Sequence, residues 1–449
     1  MTLRLRSFFV AVIALILSGV AMAAPASSNT TKPKSASHVT ESARAQKRLA
    51  RLRHHRAVAR RRAAARHAAS AKSTAAKSKS ARTKTVSAKA VAAKATTKVA
   101  ITRPASLRRR SRRHRYVELF TASSFADDIT DGDVVAGEDP VVRQAAIDAL
   151  GNMNGAVVAI DPTDGRILAM VNQKLALSGG AQPCSTIKVA VALAGLSEHV
   201  ITREEEITLG KHYQVNLTQA LAHSNNAYFE AVGRRLGFAK VSEYAHMFGL
   251  GELAGYNIPG EHLGVFPDQE LAAKLGGVGK MCSFGESISM TPLQLGALVS
   301  AVANGGTLYY LQHPTSADDI INFQPRVKRQ LAIGPLIPEI AEGMMGAVQY
   351  GTARSLRLNF SEEQVLGKTG TCSKDGTRFG WFASYANTQY GRIVAVFFLE
   401  GGRPTFGPKA AELSGKFYRA LYDHNFFAQR PATSASDTKA EKPAMGAEQ

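Results

Sequence analysis

The pattern of apolar positions divides the chain into a short apolar start, a long stretch with few large apolar side chains, and a patterned body. In the body, residues 140–150 repeat apolar side chains at helical spacing. Two β-rich runs, residues 156–160 and 166–171, flank the turn signal Asp-Pro-Thr-Asp-Gly at residues 161–165. The pattern therefore predicts a helix followed by a β-hairpin.

Two later segments are apolar at nearly every position, which is typical of helices that are buried all round. The first covers residues 186–198 and follows Pro183, a residue favoured near helix starts. The second begins after Thr291, a favourable N-cap residue, and ends at Gly305. We expect both helices to lie inside the body.

The remaining runs predict further strands and helices. Residues 364–372, 379–386 and 393–399 have strand character, residues 217–236 predict a helix–loop–helix, and residues 409–422 predict a closing helix. With the first hairpin, the strands number five and alternate irregularly with helices. We expect an α+β fold with a five-stranded antiparallel sheet flanked by helices.

Residues 1–23 have the features of an export signal. Arg4 and Arg6 form a basic start, residues 8–20 are mainly apolar, and residues 21–23 fit a small-residue cleavage site. The apolar run is also close to the minimum length of a membrane span. A cleaved signal peptide and an uncleaved membrane anchor both remain open, and either predicts an extracytoplasmic location in the periplasm or cell envelope.

Positive charge is concentrated in residues 32–115, which hold 27 lysines and arginines and a single acid, Glu41. We expect residues 24–115 to be disordered, because they lack the apolar surface that a packed core requires. A solvated spacer and a segment that contacts anionic envelope polymers or lipid both fit this composition. Nucleic acid is disfavoured, since the segment follows an export signal and has no aromatic residue for base stacking.

These contrasts set the expected domain boundaries. Residues 116–136 are predicted to be a linker, residues 137–428 the folded domain, and residues 429–449 a disordered tail.

The chain has three cysteines, and an odd number leaves at least one thiol free. Export implies an oxidising compartment in which the other two can pair. The sequence leaves the pairing open; the bridge that we put forward is Cys282–Cys372. No spacing of cysteine and histidine suggests a metal site, so we expect neither a metal nor a cofactor.

Ser185 and Lys188 are the first candidates for chemistry. A serine hydroxyl is a poor nucleophile at neutral pH and needs a base within hydrogen-bond reach. Three residues apart on a helix, the two side chains lie on one face. The start of that helix also favours developing negative charge, through its free N–H groups and its dipole. Taken alone the pattern is weak, because Ser-x-x-Lys is common on helices.

Two further motifs follow in an order known for serine acyl transfer: Ser224-Asn225-Asn226, and Lys-Thr-Gly-Thr at residues 368–371. With their flanks, the three motifs resemble the transpeptidase domain of penicillin-binding proteins, closest to the class B members. The resemblance covers roughly residues 137–427 and also includes residues 291–306 and the Trp381-Phe382 pair. It implies a mostly helical subdomain beside the sheet.

The resemblance also implies roles for individual residues. The implied catalytic residues are the nucleophile Ser185, its base Lys188, the proton relay Ser224, the substrate-amide ligand Asn226, and Lys368, which supplies positive potential. The implied substrate-binding residues are Thr369 and Thr371, which contact a terminal carboxylate, and Gly370, which lets the substrate lie close to the strand.

The implied function is a peptidoglycan D,D-transpeptidase that forms an acyl-enzyme on Ser185 from D-Ala-D-Ala stem peptides and is acylated by β-lactams. A β-lactamase or a D,D-carboxypeptidase of the same fold would share the acylation step. A penicillin-binding sensor or wall-binding module without turnover is a further alternative. The acceptor amine and the oligomeric state stay open.

Overall fold

The structure, a computed structural model, describes residues 120–389 and 391–429. The predicted export signal, the basic segment 24–115 and the tail after residue 429 lie outside the described residues. In the part of the chain that the structure describes, no helix is both long and apolar enough to cross a bilayer.

Strands and helices alternate irregularly along the described residues. The strands are β1 (Gly155–Ile160), β2 (Ile167–Val171), β3 (Ile207–Gly210), β4 (Tyr213–Val215), β5 (Thr307–Tyr309), β6 (Val327–Gln330), β7 (Gln364–Lys374), β8 (Thr377–Thr388) and β9 (Gly391–Gly401). The α-helices are α1 (Pro140–Leu150), α2 (Gln173–Ala176), α3 (Lys188–Ser197), α4 (Leu217–Ala222), α5 (Asn226–Met247), α6 (Gly277–Phe284), α7 (Pro292–Asn304), α8 (Ala317–Ile321), α9 (Ile337–Gln349), α10 (Gly407–Asp423) and α11 (Phe426–Gln429). Short 3₁₀ turns cover Cys184–Ile187, Ala273–Leu275, Gly334–Leu336 and Arg354–Leu358.

Five strands form one antiparallel sheet in the order β2-β1-β9-β8-β7. The α+β class and the five-stranded antiparallel sheet predicted from the sequence are therefore confirmed. β7, which carries Lys368, is an edge strand and pairs only with β8 inside this sheet. An edge strand leaves alternate backbone N–H and C=O groups unpaired, so β7 can hydrogen-bond an extended ligand. The small ribbons β3-β4 and β5-β6 were not predicted.

Helices cover both faces of the sheet, which explains why its central strands are apolar without alternation. On one face Val157 and Phe397 pack with Phe417 of α10 and with α1. On the other face Val158 and Val396 pack with Leu298 of the buried helix α7. Successive residues along these strands thus pack into the two different cores on opposite faces of the sheet.

The helical part of the body is built around α3, in which Lys188 to Leu196 are all buried. The predicted buried helix is present, but its first turn, Cys184–Ile187, is 3₁₀ rather than α. The predicted helix–loop–helix is also present as α4 and α5. Its second helix bends at Gly237, whose backbone adopts φ 74°, a left-handed value that glycine tolerates well.

The stretch before α1, part of the predicted linker, contacts the body. The N–H of Thr121 donates to the carbonyl of Gly376 at 2.9 Å. Oδ1 of Asp133 accepts from the N–H of Gln173 at 2.7 Å, and its other oxygen pairs with Arg143 at 2.9 Å.

Candidate active site

The nucleophile segment, residues 182–188 with Ser185 inside it, lies against the edge of the sheet. Nε1 of Trp381 on β8 donates to the carbonyl of Gln182 at 3.0 Å. Gly370 on β7 faces Pro183, and a Cβ at residue 370 would lie 2.8 Å from the carbonyl oxygen of Pro183. Glycine is thus required at residue 370 by the close approach of the two segments. Ser185 is thereby held beside β7.

Lys188 is fully buried and contacts both of the other motif segments. Its Nζ lies 3.0 Å from Oγ of Ser185, 3.1 Å from Oγ of Ser224, 2.8 Å from the Ser224 carbonyl and 2.6 Å from Oδ1 of Asn226. The ring of Phe229 lies 5.5 Å away and supplies an apolar wall. One amine therefore joins the serine and the Ser-Asn-Asn connection.

The connection between α4 and α5 is shaped to present Ser224 and Asn226 together. Ser224 has a left-handed backbone, with φ 57°, an uncommon conformation for a non-glycine residue. Asn225 caps α5, because its Oδ1 accepts from the N–H of Tyr228 at 2.9 Å. With Asn225 used as the cap, the residues on either side are free to face Lys188.

Lys368 reaches the same connection from the sheet. Its Nζ donates to Oγ of Ser224 at 2.8 Å and to the carbonyl of Thr369 at 3.1 Å, and the residue is 1% exposed. The side chains of Ser185, Lys188, Ser224 and Lys368 thus form one continuous hydrogen-bonded row. The five residues predicted as catalytic lie together.

Both amines are easier to deprotonate than an exposed lysine. Burial, with a contribution from nearby Lys368, lowers the pKa of Lys188 to about 6. Burial lowers the pKa of Lys368 to about 7. At neutral pH the uncharged form of Lys188 is therefore well populated.

The acceptors around Lys188 orient that uncharged form. A neutral amine has two N–H donors and one lone pair, and the Ser224 carbonyl and Asn226 Oδ1 can only accept. Once they take both N–H groups, the lone pair is left for a hydroxyl. Ser185 supplies such a hydroxyl at 3.0 Å. The arrangement can thus remove a proton from the serine.

The predicted substrate-binding residues continue along β7. Oγ1 of Thr369 lies 2.6 Å from Oγ1 of Thr352, and Oγ1 of Thr371 accepts from the N–H of Gly407 at 2.8 Å. Because Thr371 accepts in this contact, its own O–H remains able to donate. Thr352 was not identified from the sequence, where a lone threonine after a glycine carries no distinguishing signal.

The cysteine pairing put forward from the sequence is wrong. Cys184 pairs with Cys372, with their Cα atoms 5.5 Å apart. Cys282 is free and buried in α6, and burial raises the pKa of its thiol to about 12. Its sulfur lies where any side chain on Gly233 of α5 would have to go, so it fills space between two helices.

Glu286 makes a loop contact beside the nucleophile segment, where its carboxylate accepts from Nε2 of Gln182 at 3.2 Å. Among the described residues, no group of three or more His, Cys, Asp or Glu side chains is placed to hold a metal ion.

Comparison with known proteins identifies the family. Residues 155–422 match the family described as "Penicillin binding protein transpeptidase domain", and this match covers more than half of the chain. The chain belongs to this family. All three motif segments of the transpeptidase domain fall inside the matched range.

Curated relatives are related at modest identity. Stage V sporulation protein D of Bacillus subtilis is 28% identical over 259 residues, which are 48% of this chain and 39% of that protein. Peptidoglycan D,D-transpeptidase MrdA of Acinetobacter baumannii is 24% identical, over 64% of this chain and 53% of the relative. Peptidoglycan D,D-transpeptidase PbpA of Mycobacterium tuberculosis is 24% identical, over 69% of this chain and 74% of the relative. The chain thus spans about half or less of the first two relatives.

Solved structures show the same fold. PBP2 of Pseudomonas aeruginosa, in complex with WCK 5153, superposes with a TM-score of 0.54 at 22% identity, over 64% of this chain and 77% of that one. A peptidoglycan glycosyltransferase from Burkholderia ambifaria superposes with a TM-score of 0.55 at 18% identity, over 66% of this chain and 99% of that one. The mostly helical subdomain beside the sheet agrees with this transpeptidase fold.

Proposed function

We propose that this protein is a peptidoglycan D,D-transpeptidase that forms an acyl-enzyme on Ser185. The observation that carries the proposal is the position of Lys188, whose Nζ contacts Ser185, Ser224 and Asn226 at 2.6–3.1 Å. Two curated relatives are named peptidoglycan D,D-transpeptidases, which supports the same chemistry for this chain.

The first step is attack on a D-Ala-D-Ala peptide bond. Neutral Lys188 accepts the proton of Ser185, and the serine oxygen adds to the carbonyl carbon. The developing oxyanion binds the backbone N–H groups of Ser185 and Thr371, and losing one such donor typically costs about 10²–10³ in rate. Lys368 adds positive potential at the same end of the site.

The second step releases the terminal D-Ala. Ser224 lies between the two amines, 3.1 Å from Lys188 and 2.8 Å from Lys368. It can therefore pass the proton held by Lys188 to the leaving amine as the peptide bond breaks. An amine from a second stem peptide then attacks the carbonyl carbon of the acyl-enzyme. Lys188 accepts the amine's proton and returns it to the oxygen of Ser185 as the ester bond to the serine breaks.

The substrate is held along the edge strand. The hydroxyls of Thr369 and Thr371, with charged Lys368, bind the terminal carboxylate, and Asn226 binds the amide of the donor peptide. A β-lactam has both a carboxylate and a strained amide, so it enters the same site and acylates Ser185.

Labelling tests the acylation step. A fluorescent penicillin should add one covalent label per chain, which peptide mass spectrometry should locate at Ser185. Ser185→Ala should not be labelled, whereas Ser197→Ala, at the other end of α3, should be labelled like the wild type. An unlabelled wild type, or a label that survives Ser185→Ala, would refute the proposal.

Turnover assays separate the enzymes that share this step. A transpeptidase should join a D-Ala-D-Ala peptide to an added amine acceptor, a carboxypeptidase should release D-Ala to water, and a β-lactamase should hydrolyse the label quickly. A sensor or wall-binding module would keep the label and show no peptide turnover. Product formation that depends on the acceptor amine is the result that we expect.

We also propose that the protein works outside the cytoplasm and that residues 24–115 contact anionic envelope polymers or lipid. The composition of this segment supports the idea, since 27 of residues 32–115 are lysine or arginine. The full chain should cosediment with phosphatidylglycerol vesicles at low salt and be released at high salt. A full chain with the segment's Lys and Arg replaced by Gln should lose this salt-dependent binding. N-terminal sequencing of exported protein distinguishes a cleaved signal from an anchor.

A further inference from the structure

The Cys184–Cys372 disulfide joins the two chain segments that meet at the reacting carbonyl. Cys184 immediately precedes Ser185, and Cys372 immediately follows Thr371. The Cα atoms of the two cysteines are 5.5 Å apart, although 188 residues separate them along the chain. The cross-link therefore fixes the two N–H donors proposed for the oxyanion relative to each other, through their direct neighbours.

The backbone at Cys184 shows why a restraint matters there. Its φ is 52°, a left-handed value that side-chain-bearing residues rarely adopt. Such a conformation persists only where the surroundings hold it in place. Rotation about the N–Cα bond of Cys184 would redirect the following peptide, which contains the N–H of Ser185. The conformation of residue 184 thus decides where that donor points.

Other contacts hold the segment at different residues. Nε1 of Trp381 donates to the carbonyl of Gln182, and Oγ1 of Thr186 donates to the carbonyl of Pro183. Both contacts act on carbonyls that precede Cys184 in the chain. The disulfide is the covalent restraint on residue 184 itself.

We infer that Cys184 and Cys372 are positioning residues for acylation of Ser185, so that the site reaches its full rate only while they are joined. This inference rests on the proposed function and concerns how that site is regulated. Cys184 is fully buried whereas Cys372 is partly exposed, so Cys372 is the side from which a reductant can approach the disulfide.

Reduction is a balanced exchange with a dithiol. One thiolate of the dithiol attacks Sγ of Cys372 and displaces Cys184 as a thiolate, which takes up a proton. The second thiol then releases Cys372 and closes the reductant's own disulfide. Two electrons pass to the protein, which gains two thiols. A disulfide-bearing oxidant reverses the exchange.

The test uses the full chain with Cys282→Ala, so that the pair provides the only thiols. The protein is assayed oxidised and after dithiothreitol, with alkylation and mass spectrometry to count thiols and circular dichroism to confirm folding. Rapid-mixing kinetics with a fluorescent penicillin separate the acylation rate constant from the dissociation constant of the first complex. We expect reduction to lower the rate constant about 10- to 100-fold, less than full loss of an oxyanion donor. The dissociation constant should change less than about threefold.

Two double variants separate positioning from a general loss of stability. Cys184→Ala with Cys372→Ala should acylate as slowly as the reduced protein, because alanine does not hold a left-handed backbone. Cys184→Gly with Cys372→Ala should recover most of the rate without any disulfide, because glycine adopts that conformation readily. Both variants lose the cross-link, so a merely stabilising role would affect them alike.

The outcomes are distinct. Equal acylation rate constants for oxidised and reduced protein, or equal rates for the two double variants, would overturn the inference and leave the proposed function standing. A wild type that forms no adduct at Ser185 in either state would overturn both.

Discussion

Oδ1 of Asn226 lies 2.6 Å from Nζ of Lys188. This contact is shorter than those of the same buried amine to Oγ of Ser185 and to Oγ and the carbonyl of Ser224. An amide oxygen accepts a hydrogen bond from a neutral amine as well as from an ammonium. It therefore holds Nζ in place without adding the negative charge that would keep the lysine protonated. This neutral partner is compatible with the lowered pKa of Lys188.

Replacement of Asn226 by Asp tests that relationship. A carboxylate at this distance typically raises the pKa of an ammonium by about 1–3 units, so Asn226→Asp should keep Lys188 protonated at neutral pH. We expect acylation at pH 7 to fall about 2- to 90-fold for a rise of that size, with the acid limb of the pH–rate profile moved upward by the same number of units. Stopped-flow acylation between pH 5 and 9.5 measures both effects.

Asn225→Asp is the matched control for that variant. Asn225 caps α5 by accepting from the N–H of Tyr228, and aspartate is an equally good N-cap. This variant adds the same charge one residue away, without contacting Lys188. An acid limb that stays at the wild-type position in Asn226→Asp would show that Asn226 does not govern the protonation of the base.

The acylation rate should depend on pH in a bell-shaped manner. The active form needs neutral Lys188, with a pKa of about 6, and charged Lys368, with a pKa of about 7. The second-order acylation constant, which reports the free enzyme, should rise through about pH 6 and fall above about pH 7. Since Ser224 contacts both amines, the two limbs belong to the coupled pair rather than to one residue.

Lys368→Arg identifies the alkaline limb. A guanidinium stays charged throughout this range, so whatever activity remains should lose its alkaline limb while it keeps the acid limb. The same pH series measures this result. A residual activity that still falls with a wild-type alkaline limb would assign that limb to another group.

Thr352 is predicted to act through Thr369 on substrate binding. Their hydroxyl oxygens are 2.6 Å apart. Thr352→Val removes this partner, and a net hydrogen-bond contribution of about 1 kcal/mol corresponds to a roughly fivefold weaker first complex with penicillin. The acylation rate constant should change much less, because Thr352 does not contact Ser185 or Lys188. Thr352→Ser keeps the hydroxyl and should bind like the wild type; equal weakening by both variants would point to lost packing instead.

The sequence predicted the strands and the Ser185–Lys188 contact for physical reasons that act locally. The five strands of the sheet stand out because their apolar runs are bounded by turn residues, as at residues 161–165. Lys188 and Ser185 are three residues apart in one helical turn, so their contact follows from helix geometry. The contact of Lys368 with Ser224 could be inferred only from the resemblance to a family, because 144 residues separate them.

The errors arise where the structure depends on packing between segments that are far apart in the chain. Cys184 and Cys282 both precede Cys372 by long intervals, so spacing could not show which cysteine faces β7. The ribbons β3-β4 and β5-β6 were missed because each has strands of only three or four residues, too short for a clear alternation. Thr352 was missed because its partner is an equally ordinary threonine.

The buried lysines should also make the stability of the fold depend on pH. In the unfolded chain each lysine titrates near its ordinary pKa, whereas in the folded protein Lys188 titrates at about 6. Between these values the unfolded state binds more protons, so the free energy of unfolding rises with pH, by up to about 1.4 kcal/mol per pH unit for each such lysine. The stability is lost as the pH falls toward about 6.

Lys188→Met should remove one lysine's share of that slope. From pH 7 to pH 9 the stability advantage of the variant over the wild type should shrink by about 1.4 kcal/mol per pH unit, since only the wild type carries the penalty for deprotonating Lys188. Urea unfolding at three pH values measures the difference, in which other titrating groups cancel. Parallel curves for the two proteins would contradict the lowered pKa.

The start of α7 should affect the stability of the fold but not the acylation reaction. Oγ1 of Thr291 accepts from the N–H of Gln294, and Oε1 of Gln294 accepts from the N–H of Thr291, both at 3.0 Å. These reciprocal bonds satisfy two helix-terminal donors in a buried place, where water cannot replace them. Thr291→Ala should therefore lower the free energy of unfolding by about 0.5–2 kcal/mol.

The same variant should leave the acylation constants unchanged at temperatures where it is folded, since α7 supports the sheet from the face that packs against Val158 and Val396. Thr291→Ser keeps the capping oxygen and should restore most of the stability. Denaturant unfolding and penicillin acylation of the two variants side by side measure both quantities. Slower acylation by fully folded Thr291→Ala would mean that α7 also sets the position of β7, through the sheet to which β7 belongs.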